Sequence, residues 1–315
     1  MHKENVHFDP KKLLSGIIFM LMQAMAMSAV YVLTKTLTRS LHTHQVAFMY
    51  KFAILLAILP WCFVGGIRKN LRTRKIGMHV TRGTFSIMGS LCFFYGLSNI
   101  DVLDAAAITY MEHIIIVLIG VMYFRERLNA QKIVFIVVSF IGALLVIQPG
   151  FKAFNKYYVY IFLALIFWAI NNFAIKVLGR TEHTKAQLFY GMLISSLLSF
   201  PLALHEWRDL QWWHFKFIAG LALCYLVHLV AFFKAFKYAD ISTVMPFDYS
   251  RLIFTGVLGY LVFGELPDEF SYIGYCLIVL SGLYFMQHEA RRLRIASKKL
   301  QDDRLLELES KYEQV

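Results

Sequence analysis

The chain has 315 residues, 58% of them hydrophobic and only 17% charged, with Lys and Arg outnumbering Asp and Glu by 32 to 20. Soluble domains are about 45–50% apolar and about 25% charged, so the composition excludes an ordinary water-soluble protein and points to a bilayer. The formal charge of +12 would by itself suit nucleic acid or an anionic membrane surface.

A membrane helix needs roughly 20 mostly apolar residues to cross about 30 Å of hydrocarbon. After a polar N-terminus, 1–12, the first span is expected over 13–34. Lys11 and Lys12 precede it as in a signal peptide, but its apolar run exceeds the roughly 7–15 residues of a signal core. It is read as a retained helix. Spans two to five follow at 44–64, 77–98, 102–123 and 130–148, closing a first five-helix repeat over 13–148. A linker, 149–156, leads into a second repeat over 157–287, with spans at 157–177, 186–204, 214–234, 241–262 and 271–287. From 288 to 315 the chain is rich in Arg, Lys, Glu and Leu and reads as a charged, solvated cytoplasmic tail. The fold class is an all-α integral membrane protein with ten transmembrane helices.

The short connections leave no room for an extramembrane catalytic domain. Cys62, Cys92, Cys224 and Cys276 fall inside spans without paired metal-type spacing and are read as packing residues. No Walker-type phosphate loop, His-Glu-x-x-His or Gly-x-Ser-x-Gly occurs. The expectation is a protein that is not an enzyme and uses no cofactor or metal.

Short cytoplasmic loops carry an excess of Lys and Arg. With the N-terminus inside, the inner ends hold most of the basic residues, among them Arg68, Lys69, Arg72, Arg74, Lys75, Arg125, Arg127, Lys234 and Lys237. The outer ends hold only Lys35, Arg39, Lys152, Lys156, Arg208 and Lys216. Both termini are therefore expected in the cytoplasm. The basic excess is an orientation signal, which removes the motive for a nucleic-acid partner.

The sequence also repeats itself. Shifted by 141 residues, Lys35, Arg39, His42, Thr43, Phe48 and Pro60 fall on Lys176, Arg180, His183, Thr184, Phe189 and Pro201. Shifted by 139, Asp101, Tyr110, Gly120, Phe124 and Glu126 fall on Asp240, Tyr249, Gly259, Phe263 and Glu265. Each repeat holds an odd number of spans, so the second enters the membrane inverted. Inverted repeats recur in secondary transporters, whose substrate sites lie near the midplane between the repeats.

Ionisable groups at membrane depth face an interior cavity or a partner. Glu112 and Arg251 lie near the centres of spans four and nine and are repeat equivalents. They either flank a substrate, Glu112 facing a cationic group and Arg251 a carboxylate, or pair with each other. Asp248 is one turn from Arg251 and competes for it. Tyr110 and Tyr249 lie beside these charges and offer faces to a cation or a planar base. Met27, Tyr31 and Lys35 share one face of span one; Trp168, Asn172 and Lys176 share the equivalent face of span six. Tyr31, Trp168 and Asn172 complete the candidate substrate-binding set. Lys35, Lys176, Lys51 and Arg82 either serve as gating charges or snorkel toward headgroups. Arg82 opens a polar stripe with Ser86 and Ser90. His113 and His228 are either proton carriers or packing residues.

Both fourth and ninth spans end in a step to Glu, in Phe124-Arg125-Glu126-Arg127-Leu128 and Phe263-Gly264-Glu265-Leu266-Pro267-Asp268. With the duplication, these steps make the chain resemble the ten-helix EamA-type carriers of the drug/metabolite transporter superfamily. Thr34-Lys35-Thr36-Leu37, Val46-Ala47-Phe48-Met49-Tyr50-Lys51-Phe52, Arg82-Gly83, Tyr95-Gly96-Leu97 and Pro246-Phe247-Asp248-Tyr249 are similar to the S-adenosylmethionine uptake group of obligate intracellular bacteria. It departs from the pattern at His113, where many members carry Pro, and in the order of Asp248 and Arg251. The resemblance implies alternating-access transport of a small metabolite across a bacterial inner membrane, with S-adenosylmethionine uptake, or its exchange for S-adenosylhomocysteine, as the leading activity. Its alternative is an amino-acid, vitamin or drug exporter of the same superfamily; a channel or membrane scaffold is the reading from a different class.

Overall fold

A computed structural model of the chain describes residues 10–64, 66, 70–112, 114–115, 130–148, 155–178, 181–238, 244–285, 287–288 and 291. Outside that description lie most of the N-terminal segment and of the linker, the tail beyond 291, the 116–129 stretch with Glu126, His113, and the side chain of Lys176. Among the described residues there are helices and no strands.

The first repeat contributes α1 (Pro10–Thr38), α2 (Thr43–Phe63), α3 (Ile76–Leu97), α4 (Val102–Thr109) and α5 (Ala130–Ile147). The second contributes α6 (Tyr157–Leu178), α7 (Thr184–His205), α8 (Trp212–Tyr238), α9 (Ser250–Phe263) and α10 (Glu269–Phe285). Five of these, α1, α2, α6, α7 and α8, are long and apolar enough to cross a bilayer by themselves. α5 and α10 are shorter apolar helices, and α3, though 22 residues long, is diluted by His79, Arg82, Ser86 and Ser90.

Spans four and nine depart from the expectation of unbroken helices. α4 stops at Thr109, where the N–H groups of Tyr110 and Met111 turn to the carbonyls of Ala107 and Ile108, three residues back. Within the described part of span nine, from Val244 on, a 3₁₀ turn, Met245–Tyr249, precedes α9, which begins at Ser250. Pro246 has no N–H for a helical ladder, and the Ser250 N–H reaches back to Phe247 O. Tightened i→i+3 turns of this kind mark a change of helical geometry. Both breaks fall at repeat-equivalent tyrosines, Tyr110 and Tyr249.

The packing respects the duplication. α1 lies along α8, and its counterpart α6 lies along α3, the counterpart of α8. α2 pairs with its own counterpart α7, and α4 with its counterpart α9. α3 touches α7 as α8 touches α2, and α1 touches α9 as α6 touches α4. Exchanging the halves maps these contacts onto themselves, as a pseudo-twofold axis requires. The three most extensive interfaces all join the two halves, so neither half is complete alone.

Tyr31, Leu37, Ile54, Phe93, Leu97, Ile108, Ile161 and Leu165 fill the interior. Leu56, Leu197, Leu202, Leu223, Ile253 and Leu261 stay exposed on helix surfaces, the apolar coat that lipid solvates. Cys62 is buried and Cys92 and Cys224 half-buried, whereas Cys276 lies on this exposed surface rather than in the packing.

Candidate functional site

The two broken helices meet inside the bundle. The rings of Tyr110 and Tyr249 stack with centroids 4.6 Å apart and planes 19° from parallel. The Tyr110 hydroxyl donates to the Asp248 backbone carbonyl at 2.7 Å and accepts from Arg251 Nε at 3.2 Å. The Arg251 guanidinium lies over the Tyr110 ring, 4.5 Å from its centroid. At 1.5 Å per residue from Val102, Tyr110 lies roughly 12 Å along span four, close to half of the about 30 Å of hydrocarbon a span crosses.

Arg251 Nη2 faces Asp248 Oδ2 at 3.4 Å, and the other Asp248 carboxylate oxygen accepts from Gln23 Nε2 of α1. Glu112 instead accepts from Asn172 Nδ2 of α6 at 2.6 Å. Of the open sequence readings, the geometry thus joins Arg251 to Asp248 and Glu112 to Asn172. Ser28 Oγ donates to Arg251 O and accepts from Thr255, pinning α1 to the start of α9. Gln23, Ser28 and Thr255 were not singled out from sequence; their polarity within apolar spans was the signal that marks them.

Tyr31 is buried in the core, its hydroxyl 3.4 Å from Thr109 Oγ1 at the end of α4. Its ring joins a ladder through Phe93 to Trp168, with centroid separations of 4.9 and 5.1 Å. Tyr249 reaches α10 at Gly282, where an added Cβ would overlap the Tyr249 hydroxyl. Only glycine leaves that space. His228 of α8 is half-buried, between Tyr225 and Phe232, and its Nδ1 is buried without a hydrogen-bond partner.

Lys35 lies away from this centre. Its ammonium donates to Glu265 Oε1 and to Ile100 O. Glu265 Oε2 accepts from the Val102 N–H at 2.8 Å, capping the first turn of α4 with a carboxylate where the helix dipole favours one. Gly264, with φ of 69°, ends α9 in the left-handed conformation that turns Glu265 back toward α4. This cluster ties the ends of α1, α4 and α9 together.

Lys51 and Arg82 lie elsewhere, on α2 and α3 against α7 and α8. Lys51 Nζ donates to Ser86 Oγ at 3.3 Å, and Arg82 Nη1 donates to Gln187 O. A further cluster, His42, His44 and Glu206, joins the start of α2 to the end of α7. One Glu206 oxygen accepts from both imidazoles at 2.7 and 2.9 Å, and a ligand atom from each residue lies within 4.8 Å of the others. Sequence spacing shows the His-x-His pair but not Glu206, which is distant in the chain.

A family model described as the EamA-like transporter family matches the chain twice, over residues 14–148 and 155–286. The chain is 26% identical over 283 residues to the S-adenosylmethionine uptake transporter of Rickettsia felis, covering 90% of this chain and 96% of that one. It is 26% identical to the riboflavin transporter of Vibrio cholerae, covering 89% and 96%, and 24% identical to the pseudopaline exporter CntI of Pseudomonas aeruginosa, covering 85% and 94%. A solved crystal structure superposes with a TM-score of 0.56 at 17% identity, covering 90% of this chain and 99% of the other, a likeness of fold.

Proposed function

The chain belongs to the EamA-like transporter family, and from that premise we propose that it is a secondary carrier for S-adenosylmethionine in a bacterial inner membrane, with both termini cytoplasmic. The observation that carries this reading is the meeting of two broken helices at repeat-equivalent tyrosines. Interrupted helices at the midplane between inverted repeats are where secondary transporters hold substrate. The groups gathered there match the ligand's parts. Glu112 supplies negative charge for a sulfonium or amine, and the Tyr110–Tyr249 stack, with Arg251 over it, forms an aromatic wall two residues from that charge.

Transport proceeds by rocking of the two halves around this site. The Lys35–Glu265 cluster closes the end predicted to face outward. The relatives named for riboflavin and for pseudopaline export support a competing reading as a vitamin carrier or metabolite exporter on the same scaffold.

The test is uptake of labelled S-adenosylmethionine into cells expressing the chain, with Glu112→Gln as the control. Gln retains the bond to Asn172 but not the charge, so the expected result is uptake by the wild type and its loss in the inserted variant. No uptake despite confirmed insertion of the wild type removes S-adenosylmethionine as the substrate.

A further inference from the structure

Arg251 has a carboxylate of its own beside it in Asp248, so it is a poor place for a second anion. Lys51 and Arg82 differ. They are 3% and 7% exposed, and among the described residues no carboxylate pairs with either. Lys51 has the Ser86 hydroxyl at 3.3 Å and the Tyr50 ring 5.0 Å from its ammonium. Arg82 gives Nη1 to the Gln187 carbonyl, and its Nε is buried with no partner. Its guanidinium lies on α7 at Gly191, where a Cβ would stand 3.2 Å from the central carbon. Glu182, near the start of α7, turns elsewhere: its Oε1 accepts from Thr73 Oγ1 and from the Arg74 N–H, and its Oε2, buried without a hydrogen-bond partner, faces His79 at 3.7 Å.

Two buried cations without an anion are costly, and membrane-embedded charges of this kind mark substrate pathways. Arg82 and Ser86 stand one helical turn apart on α3, so the hydroxyl that Lys51 reaches lies on the face of α3 that carries Arg82. Tyr50 and Tyr225, packed edge to face at 5.4 Å, stand between α2 and α8. Tyr225 in turn neighbours His228, at 5.8 Å between ring centroids.

The pair also breaks the internal symmetry. The scaffold residues repeat, Lys35 as Lys176 and Pro60 as Pro201, but Lys51 corresponds to Met192 and Arg82 to the apolar stretch Leu221-Ala222-Leu223. A charge that only one half carries serves an asymmetric ligand rather than a duplicated fold.

We infer that Lys51 and Arg82, with Ser86, form a carboxylate-binding subsite for an amino-acid-derived substrate. The inference deepens the carrier reading and rests on it, and it moves the carboxylate contact from Arg251 to the α2–α3 pair. A substrate lacking a carboxylate gains nothing from this subsite.

The experiment uses the purified full-length protein, comparing wild type, Lys51→Met and Arg82→Gln by thermal unfolding and ligand affinity. The probes are S-adenosylmethionine, its decarboxylated analogue and L-methionine. The expected result is that the wild type prefers S-adenosylmethionine to the decarboxylated analogue by about tenfold or more, and that both variants lose that preference while binding the analogue as the wild type does. Lys51→Met, which takes the residue of its repeat counterpart, is expected to unfold at a higher temperature than the wild type without ligand, because it removes an unpaired buried charge. Variants that weaken both adenosyl ligands equally, or that unfold at a lower temperature than the wild type without ligand, overturn the subsite. If the wild type binds neither adenosyl compound, the substrate reading fails and L-methionine decides the subsite. Stabilisation of the wild type but not of Lys51→Met upholds it, and stabilisation of neither or of both overturns it.

Discussion

Tyr110 and Tyr249 occupy the same place in the two repeats and lie face to face, 4.6 Å between ring centroids. Each marks the point where its helix changes geometry. The contact therefore sits on the pseudo-twofold axis and joins the two halves where both helices are interrupted. Arg251 covers one face of the pair and bonds the Tyr110 hydroxyl, so charge, aromatic surface and broken backbone coincide.

Gly282 leaves the room for Tyr249. A Cβ there would overlap the Tyr249 hydroxyl, so Gly282→Ala forces the ring back to ordinary contact distance. Overpacking of this kind costs about 1–3 kcal/mol. Thermal unfolding and transport are both expected to fall, whereas Gly77→Ala, whose Cβ meets nothing within 4 Å, leaves transport unchanged.

Asp248→Asn takes away the carboxylate facing Arg251 and leaves a largely buried guanidinium uncompensated. Removing one member of such a pair destabilises by about 3 kcal/mol or more. Adding Arg251→Gln is expected to recover much of the stability and none of the transport. Recovery of transport in the double variant would reduce the pair to a structural bridge.

Lys35 and Glu265 are expected to be coupled. Glu265→Gln weakens the bond to Lys35 and the cap on the Val102 N–H together, so it costs more than Lys35→Met alone. A double-mutant cycle on unfolding free energy is expected to give a coupling of about 0.5–3 kcal/mol, the range of contacting pairs. In cells, a membrane-impermeant thiol reagent added outside is expected to label a cysteine introduced at Ile100 faster in Glu265→Gln than in the wild-type background.

Gly264→Ala tests the backbone that aims Glu265. The left-handed conformation at φ of 69° costs an alanine roughly 1–2 kcal/mol. Unfolding temperature is expected to drop, with a transport defect in the same direction as that of Glu265→Gln.

Hydropathy made the ten spans legible because burying or coating apolar surface is a property of composition. The matched pairs Lys35–Lys176 and Pro60–Pro201 exposed the duplication because polar residues in apolar sequence match by chance rarely. The breaks at Tyr110 and Tyr249 were not legible, since an apolar window reads the same whether its hydrogen bonds run to the third or the fourth residue back. Arg251 and Asp248 are three residues apart, so their pairing was within reach of helical spacing. The links from Glu112 to Asn172, from Lys35 to Glu265 and from Gln23 to Asp248 cross between helices far apart in the chain, and only packing decides them. The same holds for the absence, among the described residues, of a carboxylate beside Lys51 and Arg82.

The most direct test of a carrier built around the Tyr110–Tyr249 centre is counterflow in proteoliposomes. Vesicles loaded with unlabelled S-adenosylmethionine are diluted into a trace of the labelled compound, with wild type and Arg251→Gln compared. A carrier of this kind gives transient, saturable accumulation of label in the wild type and loses it in the correctly folded variant. Linear, non-saturating flux, or counterflow that survives Arg251→Gln unchanged, would contradict it.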